Sequence, residues 1–294
     1  MNGTVHHEQA GVERPSLYVV ATPIGNLADI TLRALEVLKR VGAIAVEDTR
    51  VTGRLLKHYG VSAPLIALHE HNERRAAQKI LQRLAQGDSV ALVSDAGTPA
   101  ISDPGALAVA FAREAGYPVV PVPGANAALA ALSAAGNAAP HFLFYGFLPQ
   151  SAAARRRELA ALKTTAHLLV FYEAPHRIIA SVADMAAAFG AGRTLTIARE
   201  LTKLFESIHT CTLGTAAAWL AADANRIKGE FVLLVEGAPE AAAADAGAGP
   251  RALEILLREL PLKQAVKLAA QIGGGGRNEL YQLALELKKT VNHG

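Results

Sequence analysis

Three glycine- and proline-rich loops are the first stretches of this sequence that could do chemistry. They are Thr22-Pro23-Ile24-Gly25-Asn26, Ser94-Asp95-Ala96-Gly97-Thr98-Pro99 continuing to Ile101-Ser102-Asp103-Pro104-Gly105, and Pro123-Gly124-Ala125-Asn126. Glycine lets backbone approach a ligand closely, and proline fixes the shape of a loop. Each loop follows a short apolar run, so together they predict a preformed cleft at one sheet edge. Its polar contacts would come mainly from backbone N–H and C=O groups, which suits a small polar molecule. Taken singly, each loop reads equally well as ordinary turn chemistry, and Asp95 as a turn or cap residue. Ionisable side chains also follow predicted strands: Asp48 and Arg50, then Glu173, His176 and Arg177, then Arg199, Glu200, Lys203 and Glu206. A carboxylate or ammonium so placed could orient or deprotonate a hydroxyl nucleophile. The plain alternatives are that Asp48 caps a helix starting near Thr52 and that Glu200 pairs with Arg199 or Lys203.

Several chemistries are unsupported. No G-x-G-x-x-G follows a strand and no G-x-x-x-x-G-K-[ST] is present, which argues against a dinucleotide fold and a phosphate-loop NTPase. A single cysteine, Cys211, excludes a disulfide framework and a cysteine-based zinc cluster. His69 and His71 alone do not make a metal set, and no metal is expected.

The elements that must position these residues alternate. Apolar runs at Leu17–Ala21, Ala43–Val46, Leu65–Leu68, Val90–Val93 and Val119–Val122 predict buried parallel strands. Helical patterns at 31–41, 52–59, 73–86 and 104–115 supply the crossovers that parallel neighbours require. A second series follows at Phe142–Tyr145, Leu168–Phe171, Leu195–Ala198, Glu206–Cys211 and Phe231–Val235, with helices at 154–162, 175–189 and 215–222. Little room separates Leu195–Ala198 from Glu206–Cys211, which predicts an antiparallel hairpin and a mixed second sheet. The fold class is α/β, with two α/β domains at 16–124 and 125–238. Residues 1–15, lacking a basic n-region followed by an apolar core, read as a disordered leader. Gly237–Pro250 is rich in small residues, and 239–250 reads as a linker. Amphipathic patterns at 251–259, 262–272 and 277–289, with glycines 273–276 before the last, predict a helix-turn-helix-like module at 251–294, or alternatively a plain helical cap.

The chain has 294 residues, 51% of them hydrophobic and 19% charged, enough for a sizeable core and too apolar for wholesale disorder. No run approaches the roughly 18 apolar residues of a membrane helix. The formal net charge is +3, and residues 251–294, with seven basic and four acidic side chains, carry the whole excess. A neutral body with a basic appendage suits an enzyme carrying a nucleic-acid contact module, although a charge this small is also compatible with none.

The segments LYVVATPIGNLADIT, VEDTR, LHEHNE, SDAGTPAISDPG, VPGANAAL, YGFLP, FYEAPHR, ARELTKLFE and GEFVLLVEG occur in this order. Together they resemble the class III, tetrapyrrole-methylase-like methyltransferases, and within them the group acting on small-subunit ribosomal RNA. The resemblance runs from about Leu17 to Gly237, and PLKQAVKLAAQI with RNELYQLALELKK extends it into that group's C-terminal helix-turn-helix. It implies two α/β domains with S-adenosylmethionine in the cleft between them, and 2′-O-methylation of a cytidine in the decoding region of 16S rRNA. It also implies a homodimer that needs no metal, and the single cysteine fits a reducing cytoplasm. By motif, Ala96, Gly97 and Thr98, flanked by Ser94 and Asp95, match the main cofactor loop; Asn126 and Ala127 match a second contact and Pro23 a third. Glu200 and Lys203, then Asp48, are the candidates for orienting or deprotonating the hydroxyl, and the base stays open among them. RNA phosphates would meet Arg155, Arg156, Arg157, Arg177, Lys288 and Lys289. A three-arginine run reads alternatively as a solvated helix face. The alternatives are a methyltransferase for a tetrapyrrole precursor or other small molecule, which would need no helix-turn-helix, and a non-catalytic RNA-binding ribosome-assembly factor.

Overall fold

A computed structural model of the chain describes residues 14–273 and 276–291, with the side chains of 240–248 and 288–291 left out. The chain forms two compact units. One takes in the chain up to Ala131 together with Glu200–Glu206, and the other Leu132–Arg199 and the chain from Ser207 onward.

The first unit is a five-stranded parallel sheet of β1 (Leu17–Val20), β2 (Ala43–Val46), β3 (Leu65–Ala67), β4 (Val90–Leu92) and β5 (Val119–Val122), in the order β3-β2-β4-β1-β5. The crossovers are α1 (Leu32–Arg40), α2 (Thr49–His58), α3 (Glu73–Ala85) and α4 (Ala106–Glu114), and α5 (Ala127–Ala134) follows β5. Strands β2 and β4 are buried along their whole length, as expected of central strands covered on both faces. One cluster, centred on Leu17, Leu68, Ile80, Leu84 and Leu92, packs α3 and α4 against the sheet; another, with Val20, Leu38, Ile44 and Leu56, packs α1 and α2. Helix starts are local: the Thr31 hydroxyl accepts from Ala34 N–H, and the Asp48 carboxylate accepts from Arg50 N–H.

The second unit holds a mixed sheet of β6 (Phe142–Phe147), β7 (Leu168–Glu173), β8 (Thr194–Arg199), β9 (Ser207–Thr212) and β10 (Phe231–Val235), in the order β6-β7-β10-β8-β9. Only β6–β7 is parallel; β8 and β9 form the antiparallel hairpin that their spacing predicts. Helices α6 (Ala152–Leu162), α7 (Ile178–Phe189) and α8 (Leu213–Ala221) share a core with the inward faces of these strands, including Leu159, Phe171, Val182, Ile197 and Leu233; Cys211 is a half-buried strand residue packed against it.

Three helices follow: α9 (Glu240–Glu259), α10 (Leu262–Gly273) and α11 (Arg277–Val291). The stretch read as a linker is therefore helical in its backbone, because its alanine-rich run is strongly helix-forming despite the glycines and Pro250. Leu253, Val266, Ala269, Leu280 and Ala284 make a core of their own. Gly249 lies against the backbone of Ala269 and Gly273, which lets α9 and α10 approach closely. The glycine turn was expected at 273–276, of which 274 and 275 fall outside the described residues, as do 1–13 of the leader. Among the described residues no helix is long and apolar enough to cross a membrane, and no group of three or more His, Cys, Asp or Glu could hold a metal ion.

Candidate functional site

The strand-end loops of the first unit converge. After β1, Thr22 forms a two-way backbone bridge with Gly97 (Thr22 N–H to Gly97 O 2.8 Å, Gly97 N–H to Thr22 O 3.0 Å), and its hydroxyl donates to Ser94 O at 3.0 Å. Pro23 and Ile24 are buried behind this bridge. After β5, the Thr98 hydroxyl donates to Ala125 O at 3.2 Å, and Asn126 Oδ1 accepts from Leu129 N–H at the start of α5. A Cβ on Gly97 would stand 3.4 Å from Ile24 Cγ2 and 3.7 Å from Ala125 O, so the three loops close on this glycine. All eight residues matched by motif to the cofactor thus lie in one loop cluster.

The backbone here is strained. Among the described residues, the non-glycine residues at positive φ are Ala100, Ser102, Glu200 and Thr202, two in the loop after β4 and two in the β8–β9 loop. Gly97 (φ +81°) and Gly105 (φ +132°) share the first of these loops. Such conformations persist only where the surroundings over-determine them, and they concentrate at binding and active sites. Here the Glu73 carboxylate accepts from Gly105 and Leu107 N–H (2.8 and 2.9 Å), fixing the loop's exit into α4.

Carboxylates gather at the ends of the adjacent strands β2 and β4. Asp95 Oδ1 accepts from Asp48 N–H at 3.1 Å, which braces one strand end against the other. Burial, and then the negative charge of Asp95, push the Glu47 carboxyl above its ordinary value. Burial, and then Glu47, push Asp103 up to about 6, against a hydrogen bond with Ser94 that works the other way. The Ser94 hydroxyl also lies 3.3 and 3.2 Å from the carbonyls of Ala96 and Gly97. Neither Glu47 nor Asp103 stands out in the sequence as an ionisable candidate. The available signal was their place: Glu47 directly follows a fully buried strand, and Asp103 lies within a proline-flanked loop.

Asp48 has the structural task named above as its alternative. It caps α2 and binds Arg50 through both carboxylate oxygens, and hydrogen bonds from the Arg50 side chain hold it down at about 2. It is therefore a firmly ionised, weakly basic group.

Glu200 and Lys203 lie in the β8–β9 loop, which belongs to the first unit. Lys203 Nζ and Glu200 Oε1 are 2.9 Å apart, with both side chains partly buried. The Thr202 hydroxyl accepts from Asn26 N–H at 3.1 Å across 176 residues of sequence. A Cβ on Gly25 would overlap the Lys203 side chain. Glycine at position 25 is thus required by this neighbour, a reason invisible in the local sequence.

The arginine candidates separate. Arg155 is buried: its Nη2 stands 2.6 Å from Asp184 of α7, and Nε donates to the same carboxylate at 2.8 Å. Helical spacing turns it inward from the Ser151 cap, so it locks α6 to α7 rather than facing RNA. Arg156 takes the other Asp184 oxygen and stays mostly exposed; Arg157 is exposed, 3.5 Å from Glu158. Arg177 is also engaged internally. Its Nε stands 2.9 Å from Glu173 Oε1, and Nη2 donates to Leu148 O and to Glu173 Oε2. Buried Glu173 further accepts from the Ser181 hydroxyl and Ala174 N–H. This network ties β7 to α7 and leaves Arg177 little capacity for a phosphate. Lys288 and Lys289 lie in the helical backbone of α11, with side chains outside the described residues.

An open concavity of about 900 Å³ in the second unit is lined by Gly136–Ala139, Arg193 and Glu236, among others. It contains no predicted site residue. It lies where β7 begins and β10 ends.

Residues 16–217 match the Tetrapyrrole (Corrin/Porphyrin) Methylases family, and residues 242–288 match a family described as the RsmI C-terminal HTH domain. The chain belongs to the tetrapyrrole methylase family. Within it, the chain is 51% identical over 283 residues to the Ribosomal RNA small subunit methyltransferase I of Escherichia coli O157:H7, covering 95% of this chain and 98% of that one. The protein of the same name from Pseudomonas aeruginosa is 51% identical over 273 residues (92% and 97% covered). Among solved structures, a cobalt precorrin-4 methyltransferase superposes with a TM-score of 0.58 at 16% identity, covering 78% of this chain and 98% of its own. A uroporphyrin-III-C-methyltransferase from Thermus thermophilus does so with a TM-score of 0.56 at 19% identity, covering 80% and 98%. These two share the fold.

Proposed function

We propose that this protein transfers a methyl group from S-adenosylmethionine to the 2′-oxygen of a cytidine ribose in the decoding region of 16S rRNA. The observation that carries the reading is 51% identity along nearly the full length of relatives named as small-subunit ribosomal RNA methyltransferases. The tetrapyrrole alternative draws on structures at 16–19% identity, which speak to fold alone.

The residues fit the donor. Its sulfonium and ammonium are positive, and Glu47, Asp95 and Asp103 place negative charge beside the loop after β4. Its adenine and carboxylate edges suit the backbone of Ala96–Thr98 and the Asn126–Ala127 turn, with Pro23, Ser94 and Asp95 shaping the floor. When bound, S-adenosylmethionine supplies an electrophilic methyl group. Glu200 accepts the hydrogen bond of the ribose hydroxyl and takes its proton at the carboxylate as the oxygen is alkylated. Lys203, 2.9 Å from that carboxylate, pairs with it and sets positive charge near the developing alkoxide. Much of the rate comes from holding the hydroxyl in line. Asp48 acts as a brace, since a carboxylate held at about 2 is a poor base. Arg156, Arg157, Lys288 and Lys289 are the phosphate contacts, and Arg155 and Arg177 hold the scaffold behind them. The substrate places the enzyme in the cytoplasm; the homodimer implied by the family resemblance is tested by sedimentation.

The test is incubation of the protein with tritiated S-adenosylmethionine and 30S subunits from cells lacking the endogenous activity, then mapping of the label. Label on one cytidine 2′-oxygen supports the reading; unlabelled subunits refute it.

A further inference from the structure

The β8–β9 loop holds large apolar side chains in water: Leu204 is 89% exposed and Phe205 66%. Across the Asn26–Thr202 hydrogen bond, the segment after Asn26 adds Leu27 at 40% and Leu32 at 80%. The loop is not slack. Thr202 N–H donates to Glu206 Oε2 at 2.6 Å, Lys203 N–H to Glu200 O at 3.0 Å, and Glu206 N–H to Lys203 O at 3.1 Å. Glu200 and Thr202 sit at φ +51° and +67°, the latter costly for a β-branched residue. Strain and bracing are therefore spent on a turn that presents an aromatic ring and leucines to solvent. The turn rests on Gly25 and Asn26, and through Thr22 and Ile24 it is continuous with the Gly97 loop.

We infer that Phe205, supported by Leu204, Leu27 and Leu32, is the platform on which an unpaired base of the RNA substrate stacks, beside the hydroxyl to be methylated. This rests on the function proposed above. Bases in single-stranded RNA are read by stacking on aromatic side chains, a contact tolerant of sequence and available only when the base is out of its helix. A second copy of this chain is the other conceivable occupant. Four side chains fall well short of the roughly 800 Å² per partner of a stable interface, even with about 150–250 Å² from the phenyl ring.

The test compares full-length wild type with Phe205→Ala, Phe205→Leu and Phe205→Trp. It measures kcat/KM for 30S subunits from cells lacking the endogenous activity, the Kd for S-adenosylmethionine by calorimetry, and the sedimentation coefficient. Phe205→Ala and Phe205→Leu are expected to lose about tenfold or more in kcat/KM. Phe205→Trp should retain it, with the Kd and sedimentation of all variants unchanged. Equal kcat/KM for Phe205→Ala, equal performance of Leu and Trp, or a loss that tracks altered sedimentation would each overturn the platform; the last would assign the patch to a second copy. A wild-type enzyme that binds the donor and methylates 30S subunits, paired with a silent Phe205→Ala, defeats this inference alone. A wild-type enzyme that does neither defeats the underlying function, and the platform with it.

Discussion

Gly97 adopts φ +81° at the point where three loops meet, with Ile24 and Ala125 within van der Waals reach of any added Cβ. A side chain there would pay roughly 1–2 kcal/mol for the left-handed backbone and intrude between the loops. Gly97→Val should therefore weaken S-adenosylmethionine binding by at least about tenfold in calorimetry while the far-UV spectrum stays native; unchanged affinity would remove this loop from the site. Asp103 makes a second prediction. Its folded value of about 6 lies above its ordinary 3.8, so the folded state holds the proton longer than the unfolded chain. The stability this group contributes is full below about pH 4 and is lost as pH rises through about 6. Solvent screening of a partly exposed group limits the loss to about 1–2 kcal/mol. Asp103→Asn should flatten the dependence of Tm on pH between 4 and 6 and raise Tm at neutral pH; an unchanged slope would show that the proton is not held there. At this scale the sequence was half legible. The glycine and proline loops announced themselves because special backbone leaves a compositional mark. Arg155 and Arg177 looked like phosphate ligands because charge is visible in a sequence, while the Asp184 and Glu173 carboxylates that claim them are brought in only by packing.

At the scale of elements, strands and crossovers followed from apolar runs and their spacing, and β2, β5 and β10 kept their predicted bounds, because each is a short continuous apolar run. The alanine-rich stretches were harder. Helix α5 and the first half of α9 lack polar periodicity; the first has no predicted helix and the second reads as a linker, although alanine is the strongest helix former. The bond between α6 and α7 is testable. Asp184→Ala leaves the Arg155 guanidinium buried without its carboxylate, at a cost of about 3 kcal/mol. Urea unfolding should show a lower midpoint, and a midpoint within error of wild type would mean the pair is solvated. At the end of β10, a Cβ on Gly237 would overlap the Ala166 carbonyl oxygen, so Gly237→Ala should displace backbone and lower Tm by several degrees. An unaltered Tm would show that the junction yields freely.

For the molecule as a whole, the placement of the Glu200–Glu206 loop in the first unit could not be read locally, since its bond to Asn26 spans 176 residues. The carboxyl-terminal helices have their own core and residues 251–294 carry the basic excess, so deleting residues 251–294 should reduce affinity for 30S subunits far more than affinity for the methyl donor. Equal RNA binding by the shortened chain would deny the module its role. The claim on which the chemistry depends is that the strand-end loops of the first sheet hold the donor. A crystal soaked with S-adenosylhomocysteine tests it most directly. Density against the backbone of Ala96–Thr98 and Asn126–Ala127 is the result predicted here; the ligand bound elsewhere, for example in the concavity beside Arg193 and Glu236, would contradict it.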